Sequence, residues 1–401
     1  MSEAPQKVLR VAIVAHGRFN SFDIARAMQS AGHQVSLYTN YPAWAVKRFK
    51  VDPKIVISNW WSGVTQRLYP RLGMSLPNSW SERFGRWAAN ELGKREFDLV
   101  LIWSSVAEEY LRLPKTNPST VRVIVRESAH IQAQYDLLVA EEIRSGAVQD
   151  KPSTWSLARE QREYPMADAI MTRAGFSRQS FLDHGSAPEQ VFLVKPDAFL
   201  DRWRADATAV AGRVQRLNSA EPIRVLFVGS LCFRKGLLDL RDMVLTLHQQ
   251  GFKFTLTGQT YPEGAVIAEQ LSAMAKITGR LAETELGALY AENDVFVFPT
   301  IEDGAPAVVV QAAAALLPIL STPNCSWPEI QAAGALGQIL PARNPAAFIA
   351  ALQQFKLHRM QHADAIARLH ASGALHLQSA IAPQIEQMYC DVHARNIRCA
   401  L

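Results

Sequence analysis

One segment constrains the fold of this chain more than any other: residues 295–322, VFVFPTIEDGAPAVVVQAAAALLPILST. Two apolar runs typical of buried strands, Val295–Phe298 and Leu317–Leu320, flank an acidic turn and an alanine-rich stretch that predicts a helix. A strand, a loop, a helix and a second strand in this order predict a parallel α/β unit. The acidic turn then lies at the carboxyl end of a strand, where ligands of open α/β sheets bind.

The chemistry of this turn suits a phosphorylated sugar. Gly304 lets the backbone approach a ligand closely, and a helix beginning near Pro306 would direct free N–H groups at an anion. Asp303 and Gln311 are eight positions apart, about two helical turns, so both could bind hydroxyl groups of one ligand. The alternative interpretation is a helix cap followed by one polar helix residue.

The alternation of strands and helices extends over the whole chain. Strand-like runs begin near residues 8, 33, 54, 97, 121, 169 and 191 and, after a polar linker, again near residues 223, 252 and 275. At 401 residues the chain is longer than one hydrophobic core usually holds. The pattern predicts two Rossmann-like α/β domains that face each other across a cleft, with a boundary near residue 200.

Composition excludes several classes of protein. Apolar residues make up 48% of the chain and charged residues 20%, as in soluble globular proteins, and no long uncharged apolar run is present. We therefore expect a cytoplasmic protein. The four cysteines are scattered, with no CxxC pair, which argues against a zinc site and a disulfide scaffold. The loop after the first strand has a single glycine, Gly17, so a dinucleotide-binding GxGxxG motif is absent.

Charge is distributed unevenly between the two halves. Residues 1–200 hold 25 basic against 20 acidic residues, whereas residues 201–401 hold 17 of each. A basic half is typical of proteins that meet nucleic acid, an anionic membrane surface or an acidic substrate. No nucleic-acid-binding motif is present, so the charge favours a membrane surface or an anionic acceptor and no nucleic-acid partner.

Residues 58–94 are rich in tryptophan and arginine and include the adjacent Trp60 and Trp61. Three aromatic residues in this segment have helical spacing: Trp80, Phe84 and Trp87. Such a stripe is typical of a helix face packed on a core, and also of a surface that contacts an acceptor or a lipid interface. The sequence leaves both interpretations open.

Two further clusters of polar residues follow predicted strands. Residues 123–131, VIVRESAHI, place Arg126, Glu127, Ser128 and His130 at a strand end, where a histidine is either a ligand contact or a structural residue. Residues 227–240, FVGSLCFRKGLLDL, bring Lys235 to a predicted helix start, where a cation and free N–H groups suit a diphosphate. The alternative for Lys235 is a solvated helix end.

These motifs resemble those of glycosyltransferase family 4 (glycosyl transferases group 1), retaining enzymes of the GT-B fold. In that family a proline and a small residue lead into an acidic-glycine turn, and seven residues separate two glutamates. Here Pro299–Thr300 match the lead-in, Asp303 stands at the first glutamate and Gln311 at the second. Ser230 stands where the family usually has an arginine before the lysine matched by Lys235.

The resemblance implies a role for each matched residue. It makes Lys235 a diphosphate contact, His130 and Asp303 contacts of the donor sugar, and Gln311 a ribose contact, with Arg234 or Arg18 replacing the missing arginine. The residues expected to act in catalysis are His130, Asp303 and Lys235. Those expected to bind the donor are Gly17, Arg18, Ser230, Arg234, Lys235, Glu302, Gly304, Ala305 and Gln311. Those expected on the acceptor side are Arg126, Glu127, Trp60 and Trp61.

The implied function is transfer of a sugar from a nucleotide diphosphate sugar to a hydroxyl of a carbohydrate or lipid-linked acceptor, in surface polysaccharide or glycolipid synthesis. The family uses no metal and no cofactor, and peripheral contact with the inner face of the cytoplasmic membrane is expected. The implied domains are 1–200 on the acceptor side, 201–375 for the nucleotide sugar, and 376–401, a helix that crosses back to the first domain.

Two alternatives remain at this stage. The altered residues at positions 230, 303 and 311 also fit a catalytically degenerate GT-B protein that binds a sugar nucleotide or a partner transferase. The second alternative is a sugar-nucleotide epimerase of similar fold. The sequence does not identify the base, sugar, acceptor, linkage or oligomeric state.

Overall fold

The computed structural model of the chain describes residues 7–71, 79–195, 203–373 and 381–400. The described residues contain two parallel sheets, one in residues 7–195, called the first half below, and one in residues 203–373, the second half. The strands of the first sheet are β1 (Arg10–Ala15), β2 (Gln34–Thr39), β3 (Val56–Ser58), β4 (Leu99–Trp103), β5 (Val121–Val125), β6 (Ala169–Thr172) and β7 (Val191–Leu193). Those of the second are β8 (Ile223–Val228), β9 (Phe252–Thr257), β10 (Ala275–Gly279), β11 (Val295–Phe298), β12 (Ile319–Ser321) and β13 (Gly337–Ile339).

Both sheets have the doubly wound arrangement in which strand order reverses near the middle. The order is β3-β2-β1-β4-β5-β6-β7 in the first sheet and β10-β9-β8-β11-β12-β13 in the second. All described strand pairs are parallel, as the alternation of strands and helices predicts. The central strands β4, β5 and β11 are buried at every residue, because layers cover both faces of such a sheet. The predicted α/β class, with two parallel Rossmann-like sheets, is confirmed.

Helices connect the strands in each half. Those of the first half are α1 (Ser21–Ser30), α2 (Ala43–Val46), α3 (Trp60–Arg71), α4 (Ser79–Leu92), α5 (Glu108–Leu111), α6 (Ile131–Ser145), α7 (Thr154–Glu163) and α8 (Gly175–Asp183). Those that follow are α9 (Ala207–Leu217), α10 (Leu237–Leu247), α11 (Ala265–Leu271), α12 (Glu283–Glu292), α13 (Ala307–Ala314), α14 (Trp327–Ala332), α15 (Pro345–Leu357), α16 (Arg359–Ser372) and α17 (Ile381–Ala400).

Helix α17 packs on the core of the first half, although it follows the second half in the chain. Ile381, Ile385, Met388 and Val392 are almost completely buried there, at spacings of three and four residues that place them on one helix face. The proposed domain limits near 200 and 375 fall at residues 196–202 and 374–380, outside the described residues.

The aromatic segment divides between core and surface. Phe84 of α4 is fully buried and packs against Trp87, with ring centroids 5.2 Å apart, as the core-facing interpretation predicts. Trp60 and Trp61 at the start of α3 are 44% and 65% exposed and stack on each other. Residues 72–78, between these two helices, lie outside the described residues.

None of the helices in the described ranges combines the length and the apolar character needed to cross a lipid bilayer. Within the same ranges, no three His, Cys, Asp or Glu side chains converge in a way that could hold a metal ion.

Candidate functional site

The loops after β1, β4 and β5 and the loops after β8 and β11 line one cavity of about 440 Å³. Strand order reverses between β1 and β4 and between β8 and β11, so the cavity lies at the switch points of both sheets, where open α/β sheets bind ligands. Its lining residues are His16, Phe19, Ser81, Trp103, Ser104, Ser105, Val106, Val125, Arg126, Glu127, Ser128, Arg234, Asp303 and Ala305.

His16 follows β1 and supplies a neutral polar group to the cavity. Its Nε2 atom lies 2.8 Å from Ser62 Oγ, and its ring stacks on Phe84 with a centroid distance of 4.5 Å. Burial lowers the pKa of His16 to about 4, so the imidazole is uncharged at neutral pH. A neutral imidazole with a fixed ring can donate or accept a hydrogen bond at a sugar hydroxyl.

Arg126 forms part of the cavity wall and is held by several acceptors. Its Nε donates to Ala129 O at 3.1 Å, Nη1 donates to Glu160 Oε1 at 3.1 Å, and Nη2 donates to Gln134 Oε1 at 2.6 Å. These bonds fix the plane of the guanidinium group. The positive charge at this wall is therefore shared with the Glu160 carboxylate.

Glu127 lies beside Arg126 in the same loop and lines the cavity. Its Oε1 accepts a hydrogen bond of 3.1 Å from the backbone N–H of Asn20, the residue before α1. Burial raises the pKa of Glu127 to about 7, against the opposing effect of the nearby Arg173 guanidinium. At neutral pH this carboxyl group can both hold and release a proton.

Ser105, after β4, has a left-handed backbone conformation with φ of 69°. Glu163 Oε2 accepts from its backbone N–H at 2.7 Å, and Glu160 Oε1 accepts from its hydroxyl at 2.5 Å. Glu163 Oε1 also accepts from the backbone N–H groups of Ala107, the N-cap of α5, and Glu108, its first residue. Two carboxylates on α7 thus hold the loop after β4 in a conformation that a non-glycine residue rarely adopts.

The wall from the second half carries both signs of charge. Asp303 faces the cavity and forms an ion pair with Lys235, whose ammonium group is buried behind it, 5.7 Å from the centre of the Phe298 ring. Burial lowers the pKa of Lys235 and the adjacent Arg234 adds to this effect, while Asp303 opposes it. Arg234 itself lines the cavity.

Glu302 joins the two halves of the molecule instead of facing the cavity. Its carboxylate is fully buried: Oε1 accepts from Ala129 N at 3.0 Å, and Oε2 accepts from Gln134 Nε2 at 3.0 Å. The same carboxylate lies 3.4 Å from the guanidinium of Arg234. Glu302 is not among the cavity residues, and its carboxylate is occupied by these partners, so its contact with a donor stays a prediction.

Further polar contacts connect α6 and the first half to the second half. Arg343 donates to Glu141 Oε2 at 2.9 Å and to Leu137 O at 2.6 Å, and Arg144 pairs with the buried Asp239. Beyond α6, the backbone N–H of Gly175 donates to Glu329 Oε1 at 2.8 Å. The two halves therefore contact each other directly through these polar groups.

The structure brings part of the predicted set to the cavity. Arg126 and Glu127 from the first half meet Arg234, Asp303 and Ala305 from the second. Lys235 does not line the cavity itself but forms an ion pair with Asp303, which does. Ser230 lines a smaller cavity of about 40 Å³ that shares Arg234 with the first and also contains Tyr261 and Glu263.

His130 does not line the cavity. It is buried at the start of α6, where its Nδ1 accepts from Gln132 N at 3.2 Å and its ring stacks on His184 with a centroid distance of 4.4 Å. Tyr164 and Phe181 pack around the same ring. Tertiary packing directs the ring into the first half, and the contact between His130 and a donor sugar stays a prediction.

Other predicted residues also lie away from the cavity. Gln311 on α13 accepts a hydrogen bond of 3.0 Å from Tyr290 OH. The guanidinium of Arg18 lies over the ring of Phe49, 4.8 Å from its centre. Gly17 and Gly304 lie where there is no room for a side chain. A Cβ on Gly17 would lie 2.7 Å from the Phe19 ring, and one on Gly304 would overlap Glu127 O. The exposed Trp60 and Trp61 are not among the cavity residues.

Sequence reasoning did not select several residues of the first half that line the cavity: His16, Phe19, Ser81, Trp103, Ser104, Ser105 and Val106. Most follow β1 or β4, the central pair of the sheet. The sequence indicates these residues only by their position after a strand, because parallel strands direct the loops at their carboxyl ends to one edge of the sheet.

Comparison with known proteins agrees with this geometry. Residues 222–356 match the family Glycosyl transferases group 1. The putative colanic acid biosynthesis glycosyltransferase WcaL of Salmonella typhimurium is 26% identical over 190 residues, which cover 44% of this chain and 44% of that protein. The chain thus matches less than half the length of this curated relative.

Solved structures resemble the chain over nearly its whole length. Sucrose-phosphate synthase from Thermosynechococcus elongatus has a TM-score of 0.68 at 16% identity, covering 96% of this chain and 99% of that one. The structure of Anabaena Alr3699/HepE in complex with UDP-glucose has a TM-score of 0.59 at 12% identity and covers 98% and 99%. At such identities the likeness establishes the fold. Residues 222–356 therefore match the glycosyl transferases group 1 family, within a chain that, as predicted, has the GT-B fold.

Proposed function

We propose that this chain is a retaining, family 4-type glycosyltransferase that moves a sugar from a nucleotide diphosphate sugar to a hydroxyl group of an acceptor. The observation that carries the proposal is the position of the cavity at the switch points of two facing sheets. One wall belongs to the residues matched by the family, and the other to the first half. Two substrates can therefore enter one space from opposite sides.

The second half offers a site for the donor. Arg234 lines both the large cavity and the smaller one beside Tyr261, so a ligand that extends through both passes its guanidinium group. Arginine recognises phosphate oxygens through paired N–H donors. We place the diphosphate at Arg234 and Lys235, whose charges replace a metal ion in this proposal.

The ion pair between Lys235 and Asp303 would open when a donor binds, and each residue would then contact the donor instead. An entering diphosphate competes with Asp303, the ion-pair partner of the Lys235 ammonium group. Asp303, released from that pair, can accept hydrogen bonds from hydroxyl groups of the transferred sugar. Stabilisation of the charge that develops on the leaving diphosphate is worth about 10²–10³ in rate for one well-placed donor.

The acceptor enters from the first half in this proposal. Glu127 lies on that wall with a pKa near 7, so it can accept a hydrogen bond from the attacking hydroxyl. Because the matched relative is named for colanic acid biosynthesis, we place the reaction in surface polysaccharide synthesis. Trp60 and Trp61 of the basic half are exposed and would suit peripheral contact with the inner membrane face.

A second candidate is a GT-B protein that binds a sugar nucleotide without catalysing transfer. Two observations favour it: His130 lies outside the cavity, and the charge of Lys235 is neutralised by Asp303. Both candidates predict donor binding. They differ in whether donor is consumed.

The experiment that tests the proposal is a thermal-shift screen of the chain against UDP-, GDP-, ADP- and dTDP-linked sugars, followed by an assay for slow donor hydrolysis. Binding to the folded protein at a hundredfold excess over Kd stabilises it by about 2.7 kcal/mol. We expect a shift with sugars of one nucleotide. It should be lost in Arg234→Ala and Lys235→Met and kept in Arg241→Ala, a partly exposed arginine of α10 paired with Asp242.

The outcomes separate the candidates. Donor hydrolysis that requires Arg234 and Lys235 supports the transferase, and NMR of a transferred product then reports whether the anomeric configuration is kept. A shift without hydrolysis or transfer supports the non-catalytic protein. The donor site assigned here is refuted if no nucleotide sugar shifts the melting temperature.

A further inference from the structure

Phe19 lines the cavity in a conformation that phenylalanine rarely adopts. Its φ is 41°, in the left-handed region, and its side chain is 53% exposed. A bulky residue at positive φ is strained, and such strain persists where the surrounding structure and function require it. Burial of the ring does not account for this strain, because about half of the residue's surface is exposed.

The preceding loop makes room for this ring. Gly17 has a φ of 151°, and a Cβ at that position would lie 2.7 Å from Cε2 of Phe19. A glycine is therefore needed two residues before Phe19 for the ring to hold its position. The loop after β1 is shaped around an aromatic side chain that faces the cavity.

A second aromatic residue supports the first. Trp103, at the end of β4, is 5% exposed, and its ring lies nearly parallel to that of Phe19, with an interplanar angle of 21° and a centroid distance of 6.3 Å. Ser105, two residues later, lines the same cavity and also has a positive φ. The Phe19 ring, backed by Trp103, thus presents a flat apolar surface beside the hydroxyl group of Ser105.

The remaining lining defines the kind of ligand. Ser104, Ser105, Glu127 and Arg126 supply hydroxyl, carboxyl and guanidinium groups around the aromatic surface. A pyranose has the matching chemistry, because its C–H bonds form an apolar face and its hydroxyl groups form a polar edge. Aromatic rings accept such faces by dispersion contact and burial of apolar area.

We propose that Phe19 is a stacking platform for a pyranose ring of the acceptor, so the acceptor presents a saccharide to this cavity rather than a bare lipid phosphate. Phe19 belongs to the first half and lies in the cavity wall opposite to Arg234 and Asp303, which we assign to the donor. The assignment to the acceptor rests on the proposed function. The stacking itself does not, since it can be measured with saccharide alone.

The test is direct saccharide binding to the full chain without nucleotide. Methyl glycosides of glucose, galactose and mannose, with lactose and cellobiose, are titrated and followed by saturation-transfer NMR. We expect the strongest transfer at C–H protons on one ring face of a bound sugar. Phe19→Leu should weaken binding by roughly 3- to 10-fold, the value of one aromatic contact, whereas Phe19→Tyr should keep it.

Trp44→Leu is the matched control, since Trp44 is 77% exposed in the first half and does not line the cavity. Equal binding by wild type and Phe19→Leu would overturn the proposal, and so would the absence of binding by every saccharide. A donor screen without any shift, together with Phe19-dependent saccharide binding, would refute the proposed function and leave the platform standing. Donor hydrolysis together with saccharide binding that does not depend on Phe19 would support the proposed function and refute the stacking platform.

Discussion

Gly304 of the second half packs directly against the backbone carbonyl oxygen of Glu127 in the first half, and a Cβ on Gly304 would overlap that oxygen. Gly304 O in turn accepts a hydrogen bond of 2.8 Å from Ser326 N, which fixes the turn from its own side. The sequence suggested that this glycine admits a ligand. The structure shows that it admits the opposite half of the protein.

Gly304→Ala is therefore expected to hold the two halves apart. A methyl group at this contact meets backbone atoms of Glu127 and Ser128, so the clash cannot be relieved by a side-chain rotation. A displacement of about 1 Å at a reacting centre can cost about 10²-fold in rate. We expect donor turnover to fall at least about tenfold and the radius of gyration from small-angle X-ray scattering to increase.

Gly287→Ala is the control for this substitution. Gly287 lies in α12, and a Cβ there would meet no atom within 4 Å. Helix propensity predicts a stability gain of about 0.5–1 kcal/mol with unchanged scattering and turnover. If Gly304→Ala behaved in the same way, the contact between Gly304 and Glu127 would have no role in catalysis.

Glu302→Gln tests the polar contact beside it. The carboxylate of Glu302 accepts from Ala129 N and Gln134 Nε2, and an amide would present its own N–H group to one of these donors. A buried donor left without an acceptor costs about 1–3 kcal/mol. We expect hydrogen exchange at the Ala129 amide to become about 10- to 100-fold faster.

The matched variant is Glu269→Gln, which changes an exposed carboxylate of α11 and should leave this exchange rate unaltered. Exchange at Ala129 that is as slow in Glu302→Gln as in wild type would mean that the halves are held by other contacts, such as the pair between Arg144 and Asp239.

The fold was predictable because its strands are short, buried and continuous in apolar character. Leu99–Trp103 shows no alternation, as expected for a strand covered on both faces. The strand Gly337–Ile339 was not predicted, since it is three residues long and mostly exposed. The boundary between α15 and α16 at His358 has no signal in the sequence, because neither a glycine nor a proline stands there.

The site was predictable only in part, for a physical reason. Glu127 and Asp303 each follow the carboxyl end of a strand, and this position alone places them at the cavity. The direction of a side chain depends on tertiary partners that spacing does not reveal. Gln311 turns to Tyr290, and Glu302 turns to the amide of Ala129, so residues chosen from one motif separate in space.

Glu127→Gln should change how stability depends on pH. The pKa of Glu127 is raised from 4.5 to about 7 in the folded protein, so this group favours folding at low pH. The folded state binds more protons than the unfolded state between these values, and that contribution is lost as pH rises from about 4.5 to about 7. Glutamine removes it.

We therefore expect the difference in melting temperature, wild type minus Glu127→Gln, to be larger at pH 5 than at pH 7.5. Glu163, whose pKa is also raised to about 7, contributes with the same sign in both proteins and cancels in this difference. A difference that does not vary with pH would show that Glu127 titrates as an ordinary carboxyl group.

His130→Asn decides whether this histidine acts on substrate or supports the fold. Asparagine is a good N-cap and can replace the Nδ1 acceptor for Gln132 N, while the packing of the ring against His184 is lost. Burial lowers the pKa of His130 to about 4, and His184 and Arg126 add to this effect. The wild-type ring therefore loses its stabilising contribution as pH falls from about 6.5 to about 4.

We expect His130→Asn to lower the melting temperature at pH 7, to flatten the decline in stability between pH 6.5 and pH 4, and to leave turnover of the folded fraction within about threefold. These changes follow because the ring packs within the first half and does not line the cavity. The opposite pattern, an unchanged melting temperature with turnover reduced about a hundredfold, would show that His130 reaches the donor sugar once substrate binds.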